Sequence, residues 1–180
     1  MTQTYAPRLA DDDVPAVDPG QFPTPPLTFT DETGRTVEIR VADGALEPLL
    51  EMYDAYEPDD RAQGIPPRTA ASRRSWVETL LADGLNVLAW QDDRVVGHAT
   101  LVPGGPDQHE LAIFVARSHQ QAGIGSRLVR SLLAHGAANG VERVWLTVER
   151  TNRVARQLYR STGFAVTEEG VEYDMALRLA

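Results

Sequence analysis

The chain contains no cysteine. That excludes disulfides, thiolate metal sites and a cysteine nucleophile, and it fits a reducing compartment. Lysine is missing too: all 17 basic residues are arginine, against 26 acids, for a formal net charge of −9. A phosphate loop built on Gly-Lys-Ser/Thr is therefore excluded. An acidic chain also repels phosphate backbones, so no nucleic-acid partner is expected. Two sources produce such a composition, a GC-rich genome and a salt-loving cytoplasm; acid excess and missing lysine together favour the second, a halophilic setting. No run of apolar residues is long enough to span a bilayer, so no membrane partner is expected. The segment Met1 to Ala10 lacks a basic region followed by an apolar stretch, so it is not a secretory signal, and a cytoplasmic location is expected.

What is present suits one domain of 180 residues. Residues 1–26 are rich in Pro, Asp and Thr without an apolar period, and read as a loose tail or a strap over a domain spanning 27–180. The run Asp11-Asp12-Asp13 reads as a solvated turn rather than a metal site, and no metal is expected. Leu27 to Thr30 and Thr36 to Val41 form a hairpin about Glu32 to Arg35. Asp43 caps a helix carrying Leu46, Leu49, Leu50, Met52 and Tyr53, which stops near Pro58. Thr69 to Asp83 is a second helix ended by Gly84. Asn86 to Gln91 and Arg94 to Val102 are strands joined by a tight turn at Asp92-Asp93, and Gly104-Gly105-Pro106 breaks the chain. His109 to Ala116 is a strand, Gly123 to Asn139 a helix with an apolar stripe, Val141 to Glu149 a strand. Asn152 to Thr162 is a short helix ended by Gly163. Phe164 to Thr167 and Val171 to Leu179 are paired strands. An antiparallel start followed by alternating strands and helices implies an α/β (α+β) fold, a mixed sheet with helices on both faces.

The informative stretch runs from Phe114 to Leu128. A strand ends, a loop turns, and a helix begins at Gly123 and Gly125. A helix start offers unpaired N–H groups and the positive end of the macrodipole. Glycines let phosphate oxygens approach the backbone closely. Gln121 to Ser126 can thus cradle a diphosphate without lysine; the competing reading is a helix start that needs small residues for packing. A dinucleotide fold is disfavoured, because its glycine run belongs in the first strand–helix unit.

These residues resemble the GNAT N-acetyltransferase superfamily. Its cofactor signature, Arg/Gln-x-x-Gly-x-Gly/Ala, is matched by Gln120-Gln121-Ala122-Gly123-Ile124-Gly125. After the next strand come Asn152, Ala155, Leu158-Tyr159 and Gly163-Phe164 in the family's order. The resemblance implies a mixed, mostly antiparallel sheet with a splayed central parallel pair, and acetyl-CoA as co-substrate. The strand ending at Val115 should part from Val144 to Glu149. The pantetheine arm would pair with Ile113, Phe114 and Val115; Gln120, Gln121, Ala122, Gly123, Ile124, Gly125 and Ser126 would take the pyrophosphate. Asn152 and Ala155 would meet the pantetheine. Tyr159 would face the sulfur as general acid.

The chemistry implied is acetyl transfer to a primary amine, on a small molecule or on a protein. An alkylamine is only about one part in 2,500 neutral at pH 7, so a base helps. Some relatives use a carboxylate on the central strand or the next one, where this chain has Leu111 and Thr147, which cannot act. Glu110 or His109, acting through a water, are the candidates, and Glu149 lies close in sequence. Strand alternation sets Glu110 opposite Leu111, while His109 shares the Leu111 side. Arg153, Arg156 and Arg160 form a helical stripe, and Arg117 and Arg127 flank the loop; most read as solvated, some as phosphate contacts. The resemblance puts the acceptor beside the segment joining the first two helices, with Tyr53, Glu57, Asp59 and Asp60. Two other functions stay open: a non-catalytic acyl-CoA sensor and a drug acetyltransferase of the aminoglycoside type. A homodimer is compatible with the sequence.

Overall fold

The computed structural model of the protein describes residues 14–57, 65–105 and 107–180. The elements in chain order are β1 (Ala16–Val17), β2 (Leu27–Thr30), β3 (Thr36–Val41), α1 (Leu46–Asp54), α2 (Ala70–Asp83), β4 (Leu85–Gln91), β5 (Arg94–Gly105), β6 (Gln108–Val115), α3 (Ile124–Ala138), β7 (Arg143–Glu149), α4 (Arg153–Ser161), β8 (Ala165–Glu169) and β9 (Glu172–Leu179). The strands form one sheet in the order β1-β9-β7-β6-β5-β4-β3-β2, with β8 also on β9. Among the described residues only β6–β7 and β1–β9 are parallel; the other pairs are antiparallel.

Strand alternation builds two cores. Val87 and Ala89 of β4, Ala99 and Leu101 of β5, Leu111 of β6, and Val144, Leu146 and Val148 of β7 pack under Ile124, Leu128, Val129, Leu132 and Leu133 of α3. On the other face Leu88, Val95 and Phe114 meet Leu49, Leu50, Met52 and Tyr53 of α1 and Val77 of α2. Helices therefore cover both faces, as the element order implies.

Local signals placed most ends. Thr69 caps α2 by accepting from Ser72 N at 3.1 Å, and Gly84 ends the helix. Three expectations need correction. Asp43 does not cap α1: the capping position is Ala45, without a side-chain hydrogen bond. Second, Gly104 and Gly105 do not break the strand. β5 runs on to Gly105 through a register shift after Pro103. Proline is tolerated there because β4 pairs with β5 only as far as Leu101, so no neighbour awaits its missing N–H. Third, order begins before Leu27: Val14 is buried with Trp145 and Ala176, and Ala16–Val17 pair with β9. Residues 14–26 lie as a strap, whereas Asp11-Asp12-Asp13 falls outside the described residues.

One buried polar chain crosses the α1 face. Asn86 Nδ2 donates to the carbonyls of Leu80 (2.7 Å) and Gly84 (2.9 Å), so its oxygen faces His98 Nε2 at 2.8 Å. That oxygen accepts, so Nε2 carries the proton, and Nδ1 accepts from the Tyr53 hydroxyl at 2.6 Å. His98 is fully buried, and burial lowers its pKa to about 3 from the usual 6.5. A depressed folded pKa makes the unfolded chain bind the proton first. His98 therefore contributes stability that is complete above pH 6.5 and is lost as pH falls toward 3. The slope reaches about 1.4 kcal/mol per pH unit. Urea unfolding at pH 7 and pH 4.5 should show a drop roughly 2–3 kcal/mol larger in the wild type than in His98→Gln; equal drops would refute the assignment.

Candidate functional site

The site begins where two strands part. β6 and β7 are in register at Gln108–Arg143, His109–Val144 and Glu110–Trp145, and pairing stops there although both strands continue. Ala116 N bonds Val96 O at 2.9 Å on the β5 side. Antiparallel alternation then turns the main-chain groups of Ile113 and Val115 away from β5, into the opening. The Val115 carbonyl is held there by Gln120 Nε2 at 3.0 Å.

At the wide end of this cleft stands α3. Gly123, its capping residue, has φ +81°, and Gln121 has φ +54°, so the loop folds back in the left-handed region. No side chain caps the helix and no acid lies in its first turn. The first amides have no side-chain partner, which suits an anion; the carboxylate of Glu32 stands beside them, its Oε1 3.0 Å from where a Cβ of Gly123 would lie. The loop is braced by the β2–β3 hairpin: Glu32 N donates to Ala122 O at 3.1 Å, and Arg35 NH1 to Ser118 O at 2.9 Å. Asp31 ties the hairpin turn itself through Thr33 and Arg35.

Cleft and loop open into one cavity of about 630 Å³. Ile113 and Val115 line it from β6, Gln120, Gln121, Gly123, Gly125 and Ser126 from the loop, Asn152 and Ala155 from α4. Asn152 also caps α4, accepting from Ala155 N at 3.1 Å. Four of the expected residues do not line this cavity, and for Phe114, Ala122 and Ile124 the expected contacts are main-chain ones that a buried side chain leaves untouched. Phe114 faces α1 and α2, and Ala122 and Ile124 are buried behind the loop. Tyr159 is 7% exposed and packs on Phe164 at 5.8 Å between ring centroids. Its hydroxyl has no hydrogen-bond partner among the described residues yet is not sealed from solvent. Burial pushes its pKa well up, so it stays protonated.

The cavity has walls that sequence reasoning missed: Glu32, His119, Val154, Gln157, Leu158 and Ser161. Helical spacing on α4 could have flagged the last four; nothing local flags Glu32. Three arginines near the site lie on aromatic rings. Arg156 and Arg150 sit over the Tyr173 ring, each 4.6 Å from its centroid, and Arg127 lies over Phe29 at 4.4 Å.

The base candidates separate by face. Leu111 belongs to the core beneath α3, so the carboxylate of Glu110 points to the opposite, α1–α2 face, at the last paired position before the cleft opens. Burial raises its pKa above the usual carboxylate value. Thr147 shares that face and donates to Asp174 at 3.2 Å. His109 lies within the paired section; burial lowers its pKa, and its Nδ1 is buried without a hydrogen-bond partner among the described residues. Glu149 is exposed at the end of β7. Of the acceptor-side residues, Tyr53 is 1% exposed and bonded to His98, so it is a core residue. Glu57 is exposed after α1, and Asp59 and Asp60 lie outside the described residues. Among the described residues no cluster of three or more metal-ligating side chains occurs, and no helix is long and apolar enough to cross a membrane.

Known proteins share this fold. The family model for the acetyltransferase (GNAT) family matches residues 48–164. An uncharacterised N-acetyltransferase of Mycobacterium tuberculosis is 34% identical over 79 residues, 43% of this chain and 51% of that protein, so the match spans about half the relative's length. The phosphinothricin N-acetyltransferase of Streptomyces coelicolor is 28% identical over 142 residues, 72% of this chain and 83% of that one. Among solved structures, the GNAT domain of S. lividans PAT aligns with a TM-score of 0.72 at 17% identity, covering 86% of this chain and 97% of that domain. The PaiA N-acetyltransferase of Thermoplasma acidophilum, solved with coenzyme A, aligns with a TM-score of 0.63 at 20% identity over 79% of this chain and 98% of that one. At such identity the structural likeness speaks for the fold alone, but the family model covers well over half of the chain. With its parted central strands and its uncapped glycine loop, the chain belongs to the acetyltransferase (GNAT) family.

Proposed function

We propose that the protein is an N-acetyltransferase that moves an acetyl group directly from acetyl-CoA to a primary amine. The observation that carries the reading is the continuity of one cavity from the freed main chain of Ile113 and Val115 to the uncapped first turn of α3. The fit to the coenzyme is chemical. Exposed strand amides accept an extended pantetheine as an added strand, once Gln120 releases the Val115 carbonyl. Uncapped helix amides suit a pyrophosphate, and their side-chain-free glycines allow contact. When bound, the coenzyme supplies the acetyl thioester. Ile113 and Val115 orient it, and an amide there is suited to hold developing negative charge. Tyr159, kept protonated by burial, is the donor for the departing sulfur. The similarity to a phosphinothricin N-acetyltransferase supports a small amine as acceptor; a protein amino group and a drug amine are the other candidates.

Glu110 is the favoured base, through a water if needed. It lies at the narrow end of the cleft, on the face of α1 and α2, and burial has moved its carboxyl toward neutrality. Its raised pKa predicts an acid limb in kcat/KM above the ordinary glutamate value, with activity rising as the carboxyl loses its proton. Glu110→Gln should lower kcat/KM at pH 7 by roughly tenfold to a hundredfold and remove that limb. An unchanged profile would exclude the residue and favour His109 or a water chain. The whole reading is tested by calorimetry with acetyl-CoA followed by a thiol-release assay over an amine panel. Absence of binding refutes it; binding without thiol release from any amine favours a non-catalytic acyl-CoA sensor.

A further inference from the structure

The glycine loop has a neighbour of the wrong sign for an anion site. Glu32 belongs to the β2–β3 hairpin, far from the loop in sequence, yet it lines the same cavity as Gly123, Gly125 and Ser126. A Cβ on Gly123 would stand 3.0 Å from Glu32 Oε1 and 3.6 Å from its Cδ, so the carboxylate lies against the capping residue of α3. The main chain fixes that position. Glu32 N donates to Ala122 O at 3.1 Å, and Asp31 ties Thr33 and Arg35 on either side of the turn. The carboxylate itself takes part in no hydrogen bond or ion pair among the described residues. Arg127 NH1 comes within 2.7 Å of the same Cβ position, but it donates to Gly123 O at 3.1 Å and its guanidinium lies over Phe29. A free carboxylate at the positive end of a helix acts there as a bound anion would.

We infer that Glu32 is a specificity-determining residue: its carboxylate stands in for a diphosphate at the empty loop and repels free diphosphate more strongly than the coenzyme. The inference rests on the proposed function, which seats the coenzyme's pyrophosphate at this loop. An anion arriving at Gly123 meets a like charge, and the repulsion grows with the charge it carries. The Glu32 side chain is exposed, so it is free to swing toward solvent, but the helix end then loses its favourable charge. The coenzyme offsets that loss with its pantetheine arm along Ile113 and Val115. Inorganic pyrophosphate has no such arm, and it carries more negative charge than the diester linkage within the coenzyme. Selectivity here comes from an element set against the wrong ligand, not from an added contact to the right one.

Binding measurements test this without turnover. Full-length wild type and Glu32→Gln are titrated calorimetrically with coenzyme A, which is then displaced with inorganic pyrophosphate. Glutamine keeps the length of the side chain, and the bond to Ala122 O comes from the main chain, so the loop keeps its brace. The variant should bind coenzyme A roughly threefold to tenfold more tightly at low salt, and the gain should fade at high salt. For inorganic pyrophosphate the gain should be larger. Asp83→Asn removes a charge at the end of α2, across the sheet from α3, and should change neither affinity. Unchanged or weaker coenzyme binding by Glu32→Gln would overturn the inference. An equal gain in Asp83→Asn would overturn it too, because net charge alone would then explain the effect. A pyrophosphate gain no larger than that of the coenzyme would overturn the selective role. In all three cases the wild type still binds coenzyme A and the proposed function stands; a wild type that does not bind coenzyme A would overturn that function itself.

Discussion

Tyr159→Phe should lower kcat roughly a hundredfold while leaving the affinity for coenzyme A within about twofold. The substitution is unusually clean. Phenylalanine keeps the volume that Tyr159 fills against Phe164 and the α3-side core. The hydroxyl that is removed has no partner among the described residues, so no buried group is orphaned. Stability should shift by less than about 1 kcal/mol. A loss of rate would therefore report chemistry and not unfolding. Burial holds the phenol well above its usual value of 10.0. The donor form persists through neutral and mildly alkaline pH, so the wild type should show no alkaline decline from this group below that value. Stopped-assay kcat across pH, beside a calorimetric Kd, checks both halves. If the variant turns over like the wild type at every pH, Tyr159 is a core aromatic and nothing more.

The second large effect is on binding. Gly125→Val should weaken coenzyme affinity by roughly a hundredfold or more, equivalent to about 3 kcal/mol. A Cβ at Gly125 would stand 3.1 Å from Leu158 Cδ1, 3.6 Å from Ile113 Cδ1 and 3.8 Å from Val115 Cγ2. Those three side chains line the cavity from α4 and β6. Valine's two further methyl groups would fill the passage between the loop and the parted strand, where the pantetheine must enter. The fold should survive, because valine is the better helix former by a few tenths of a kcal/mol and Leu158 is a flexible neighbour. Thermal unfolding without ligand should thus move by only a few degrees, while stabilisation by added coenzyme A disappears. Retained coenzyme stabilisation would show that the coenzyme does not pass Gly125.

How much of this was legible in the sequence follows the range of the forces involved. Helix limits at Thr69 and Gly84, and at Asn152 and Gly163, depend on neighbouring backbone groups and were readable. So was the glycine loop, since left-handed backbone and an uncapped helix start are local properties. Strand alternation told that Glu110 and Leu111 lie on opposite faces. Only packing decided which face α3 covers, and that turns Glu110 toward α1 and α2 while Leu111 enters the core. Tyr53 reads as an acceptor contact by position in the chain; its burial arises from packing on Trp76, His98 and Phe114, residues of three other elements.

By itself, then, the amino-acid order determined the elements, the loop that bares its amides, and the exclusion of thiol and lysine chemistry, because each rests on residue types and short-range hydrogen bonds. The tertiary structure alone decided where β6 and β7 stop pairing, that Glu32 braces the loop from a distant hairpin, and that its carboxylate stands beside Gly123. Those depend on which main-chain groups find no partner and which distant residues meet in the fold, and neither is written in any single stretch of chain.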